Sequence, residues 1–158
     1  MYTVVFHDKL EKGLTLDADS IGVYLGTTEL ITGNGATVTK NPSPADGDSF
    51  DVTVSWLAPK TGDGYATLGT ALNEAEVYVY FTATLNESAV LGRTGNVNTA
   101  CLEYSNTPGL DQKGNPREET ERTPDDFVIA FTYEVDINKV DPSGAALSGA
   151  EFTLEKIL

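Results

Sequence analysis

Two asparagines, one aspartate and one lysine stand where this sequence could do chemistry, because each shares a face with apolar residues. The stretch Asn96 to Asn106 reads NVNTACLEYSN. Strand side chains alternate between faces, so Asn98, Ala100, Leu102, Tyr104 and Asn106 share one side. A carboxamide facing a core must find partners or be consumed chemically, since an unpaired buried amide costs roughly 1–3 kcal/mol. Asp8 is in phase with Tyr2, Val4 and Phe6, and Lys139 with the run Phe127, Ile129, Phe131, Tyr133, Val135 and Ile137.

Oxygen donors also cluster, at Asp17 and Asp19 and again at Asp46, Asp48 and Asp51. They suggest calcium, but no full calcium-loop spacing appears, and they read as solvated loop carboxylates. The single histidine, His7, and single cysteine, Cys101, leave no His/Cys cluster for a transition metal and no internal disulfide. Both alternate away from the apolar face, and no nucleophile motif surrounds either. No metal and no cofactor is expected.

The elements that must position these residues are strands. At 158 residues, 40% hydrophobic and 22% charged, the chain can bury a real core and is not disordered by composition. A net charge of −14 argues against nucleic acid and anionic membranes as partners. No apolar run is long enough to span a bilayer, and MYTVVFHDKL lacks the regions of a signal peptide. A fragment of a longer secreted protein is the favoured reading.

Tyr2 to Asp8 alternates as a strand, and a turn at residues 11–13 leads to short strands at Leu14 to Leu16, Ile21 to Leu25 and Glu29 to Ile31. Asn41 to Gly47 reads as loop. Phe50, Val52, Val54 and Trp56 mark a half-buried strand, and Val77 to Leu85 a longer one. Ala66 to Glu74 offers one or two helical turns, weakened by Gly69. Thr107 to Asp126 reads as exposed loop, Phe127 to Val140 as a second long strand, and residues 141–144 as a turn before a last strand. Short strands at regular spacing with almost no helix predict an all-β antiparallel sandwich.

Three passages, in order, resemble the backbone subunits of sortase-assembled pili of Gram-positive bacteria, which carry fimbrial isopeptide-forming domains. They are FHDKLEKGLTL at 6–16, FTATLNESAVLGRTGNVNTACLEYSNTP at 81–108, and FTYEVDINKVDPSGAALSGAEFTLEK at 131–156. The resemblance implies an immunoglobulin-like sandwich of pilin and collagen-adhesin type. Residues 1–132 would be a middle pilin domain lacking its N-terminal strand, and 133–158 the first hairpin of a following collagen-adhesin B-type domain.

It further implies a spontaneous amide between a lysine amine and an asparagine carboxamide, assisted by an acid. Asp8 matches the catalytic acid and Asn106 the acceptor, with Asn98 the runner-up on the same face. The partner lysine would lie upstream of Tyr2. Lys139 matches the nucleophile of the following domain, whose acid and acceptor lie beyond Leu158. The polymerisation lysine and the sorting signal are not among these residues. The implied role is structural and extracellular, at the cell wall, with other pilin subunits and a host or matrix receptor as partners. It involves no membrane insertion and no enzymatic turnover beyond one self-cross-linking event.

The rival expectation is a carbohydrate- or calcium-binding β-sandwich using the acidic loops with Trp56 and Tyr65. A hydrolase finds little support, with one histidine and no paired-carboxylate motif. Residues 133–158, lacking a sheet of their own, are expected to be mobile, to pack on the first domain's edge, or to pair with another chain.

Overall fold

A computed structural model describes residues 3–32, 36–56, 76–106, 119–149, 151–153 and 155. The described elements are all strands, in the order β1 (Thr3–Leu10), β2 (Leu14–Leu25), β3 (Thr28–Glu29), β4 (Thr37–Asn41), β5 (Phe50–Ser55), β6 (Val77–Leu85), β7 (Asn96–Ser105), β8 (Thr120–Arg122) and β9 (Asp126–Ala130). They form two antiparallel sheets. One runs β4-β5-β1-β7-β8 with β9 also paired to β7, and the other runs β3-β2-β6. This is the β-sandwich that the alternation predicts.

β-Branched and aromatic residues at every second position explain the central strands. In β5, Phe50, Val52 and Val54 are buried while Asp51, Thr53 and Ser55 are half-buried on the outer face. Val4 of β1 and Ile21 and Val23 of β2 complete the middle of the core. Each such side chain contributes roughly 1.5–3 kcal/mol through burial. The sheets are also joined by Phe50 and Phe81, whose rings meet edge to face with centroids 4.8 Å apart.

Several expectations change. Leu14 to Leu25 is one strand rather than two: the polar DADS segment is absorbed by a register shift against β6 between Asp17 and Gly22. The strands β4 and β8 fall where none is expected, because short polar edge strands carry little alternation. The long strand expected from Phe127 ends at Ala130, because Ala130 pairs with Asn96, the first residue of β7, and the template stops there. The segment expected to hold helical turns, 66–74, lies outside the described residues. Beyond β9, Phe131, Tyr133, Val135 and Ile137 are all exposed. The expected turn at 141–144 is present, with Gly144 N–H donating to Asp141 O at 2.9 Å and Gly144 at φ 87°.

Candidate functional site

β1 is the centre of the site because it is paired on both sides. Asp8 lies opposite Phe50 of β5 and opposite Ala100 of β7. Asn98, two residues from Ala100 and on the same face, is the diagonal neighbour that reaches Asp8 across the strands. Its Nδ2 donates to Asp8 Oδ2 at 3.0 Å.

Asp8 is only 6% exposed. Burial raises its carboxyl from the ordinary 3.8 to about 6; the Asn98 hydrogen bond opposes that shift and the nearby Asp48 charge adds to it. The other oxygens of the pair, Asp8 Oδ1 and Asn98 Oδ1, are buried and have no hydrogen-bond partner. Two buried acceptors on hydrogen-bonded side chains, each without a donor, form an arrangement suited to an incoming N–H group.

Asp8 lines a cleft of about 230 Å³ between the sheets, together with Phe6, Phe50, Val79, Phe81 and Ala100 among others. Its wall in the smaller sheet is β6, which is the edge strand of that sheet among the described residues. The inner face of β7 beyond it is only half-covered: Leu102 and Tyr104 are partly exposed and Ala100 is exposed. Among the described residues, the free edge of β6 and the partly exposed face of β7 lie beside the cleft that Asp8 lines.

Asn106 is placed elsewhere. It is exposed one residue past the end of β7, and its backbone N–H donates to Glu119 O at 3.2 Å. Six residues separate it from Ala100, about 20 Å of strand at 3.4 Å per residue. Asp8 and Asn106 are therefore not brought together. Lys139 is exposed, and its carbonyl accepts from Leu147 N–H at 3.0 Å. Trp56 is 5% exposed and part of the core, so it offers no face to a sugar; Tyr65 lies outside the described residues.

Two features escaped the sequence reading. Asn96 is fully buried: its Oδ1 accepts from Val90 N–H at 2.8 Å, and its Nδ2 donates to Val90 O at 3.2 Å and Ala130 O at 3.3 Å. It is a structural carboxamide that closes the loop before β7 and ties β9 to it. His7, expected to alternate away from the apolar face, has a side chain only 7% exposed. Asp46, Asp48 and Asp51, expected to be solvated, surround it. Asp51 is its direct partner across β1 and β5, a proximity that only the register reveals.

No family model matches the chain. A protein described as the trypsin-resistant surface T6 protein of Streptococcus pyogenes serotype M6 is 28% identical over 163 residues, covering 95% of this chain and 28% of that protein. The solved T6 backbone pilin of the same serotype, described as a modular three-domain structure decorated with variable loops and extensions, superimposes with a TM-score of 0.55. It shares 24% identity over 92% of this chain and 30% of its own. This chain is similar to a streptococcal backbone pilin. It spans under a third of the length of these pilin relatives, and the structural likeness establishes the pilin sandwich fold. Among the described residues no helix is long and apolar enough to cross a membrane.

Proposed function

We propose that this chain is a structural module of a bacterial surface pilus, in which Asp8 assists an amide cross-link between Asn98 and a lysine on a strand upstream of Tyr2. The observation that carries the reading is the Asp8–Asn98 hydrogen bond with one buried, unpartnered acceptor oxygen on each residue, Asp8 lining an apolar cleft beside an edge strand. A strand added to β6 would cover the cleft and bring a lysine amine to both oxygens.

The chemistry follows from burial. An ammonium loses its hydration in the cleft, so its pKa falls and the free amine becomes available. The amine nitrogen attacks Asn98 Cγ, forming the new C–N bond. Asp8, with its raised pKa, gives a proton to the carboxamide and accepts the one lost by the amine, and the original Cγ–Nδ2 bond breaks to release ammonia. One amine and one carboxamide yield one secondary amide and one ammonia. Fixed geometry replaces the encounter of free reactants, which is the main kinetic help available to a single-turnover reaction. The acceptor here is Asn98 rather than Asn106, because only Asn98 touches the acid.

In this reading residues 133–158 begin a following domain in which Lys139 is the nucleophile, and the exposed apolar series Phe131 to Ile137 awaits the rest of that domain. The partners are further pilin subunits, and the location is the cell surface. The cross-link would tie the upstream strand to β7 and keep the two from separating under pull.

The test is the intact mass of a chain extended upstream through one further strand. The expected result is loss of one ammonia in the wild type and in Asn106→Ala, and no loss in Asp8→Ala or Asn98→Ala. Loss that persists in Asn98→Ala and vanishes in Asn106→Ala would refute the assignment of the acceptor. Loss that persists in Asp8→Ala would refute the role of the acid.

A further inference from the structure

On the opposite face of β1, His7 Nδ1 lies 2.9 Å from Asp51 Oδ1, 3.3 Å from Asp48 Oδ2 and 3.8 Å from Asp46 Oδ2. One ring nitrogen can satisfy one of these oxygens, yet three carboxylates converge on it. The four ligand atoms all lie within 4.8 Å of one another, and no lysine or arginine is paired with the three aspartates among the described residues. Arg122 acts on Asp46 through its charge but forms its ion pair with Glu103.

We propose that His7, Asp46, Asp48 and Asp51 form a binding site for a divalent metal of zinc type. Four ligands at zinc bond lengths of about 2.0–2.1 Å and tetrahedral angles stand about 3.3 Å apart, and the three distances from Nδ1 bracket that value. The inference does not depend on the cross-link.

A second observation points the same way. The imidazole is more than nine-tenths buried, and its far nitrogen, Nε2, has no hydrogen-bond partner but faces Glu103 Oε2 at 3.4 Å. A histidine that binds metal through one nitrogen characteristically directs the other at a carboxylate, which fixes the ring and strengthens it as a donor. Glu103 is itself held by Arg122 Nε at 2.8 Å, so the outer carboxylate is already oriented.

The donor set selects the cation. Imidazole nitrogen suits zinc and its transition-metal neighbours, whereas calcium takes six to eight oxygens in a looser shell. Four protein ligands with no open position describe a structural site. A metal here would pin the 46–48 loop and β5 to β1, the staple that a disulfide supplies in other small secreted domains.

The experiment is calorimetric titration of the chelator-treated chain with zinc chloride, with calcium chloride in parallel, and a nitrogen-15 spectrum of the His7 ring. One zinc per chain is expected, with a shift at Nδ1 larger than at Nε2 and no comparable heat from calcium. Asp46 and Asp48 are the more exposed of the aspartates, so Asp46→Asn/Asp48→Asn should fold and should bind at least tenfold more weakly. Glu103→Gln should weaken binding about 10–100-fold without changing the stoichiometry, and Asp17→Asn should bind as the wild type does. Unchanged affinity in the double variant, an unmoved His7 resonance, or equal binding of calcium would each overturn the proposal.

Discussion

Replacing Asp8 with Asn converts the buried carboxylate into a group of the same shape that cannot ionise, and so isolates its contribution to stability. Asp8 has a folded value of about 6 against an ordinary 3.8, raised chiefly by burial. The folded chain therefore holds the proton more tightly than the unfolded chain. The resulting stabilisation is fully present below pH 3.8 and is lost as pH rises through 6. From the linkage relation, the Asp8 contribution should grow by about 1.3 kcal/mol between pH 7 and pH 5, and by about 2.4 kcal/mol between pH 7 and pH 4. Many other acids titrate in that range, so the quantity to measure is the difference between wild type and Asp8→Asn. Urea unfolding at each pH, with chelator present so that no cation at His7 contributes, supplies it. Stability of the wild type relative to the variant should rise steadily as pH falls. A difference constant to within about 0.3 kcal/mol from pH 7 to pH 5 would show that Asp8 is solvated, and the cross-linking mechanism would lose its acid.

Two further substitutions test the frame around the site. Asn96→Ala should cost about 1–3 kcal/mol in urea unfolding, because Val90 N–H loses its acceptor inside the protein; a neutral result would mean that water replaces the carboxamide. Gly95 has φ 66°, and an added Cβ would run into Ile129 and come within 2.9 Å of Phe131 Cδ1. Gly95→Ala should therefore destabilise by at least about 1–2 kcal/mol, with faster amide exchange in β9 than in β5; uniform change across both strands would contradict that local origin.

The strands β1, β5, β6 and β7 were legible because their apolar residues repeat with period two over six residues or more. β4 and β8 were not, since TVTKN and TER bury little and are held by backbone pairing to neighbours that already have the pattern. The inward phase of Asp8 could be read from Val4 and Phe6. Its partner could not: both Asn98 and Asn106 have the correct phase, and only the pairing of Asp8 with Ala100 decides between them. The same limit hid the surroundings of His7. An acidic loop and a lone histidine about forty residues away look unrelated until β1 and β5 are set side by side with His7 across from Asp51. Asn96 escaped because its partners, Val90 and Ala130, contribute backbone atoms, which leave no mark in a sequence.

His7 and Asp8 are covalent neighbours whose side chains have different surroundings, one among carboxylates and one lining an oily cleft, with Asp48 close enough to act on both. Adding or deleting a single residue ahead of them would exchange the two, placing an imidazole in the cleft and a fourth carboxylate among three others. β1 thus acts as a ruler whose length is fixed, while its individual letters are freer to change. Among relatives that keep both surroundings, gaps should be found in the turns and never within Val4 to Lys9.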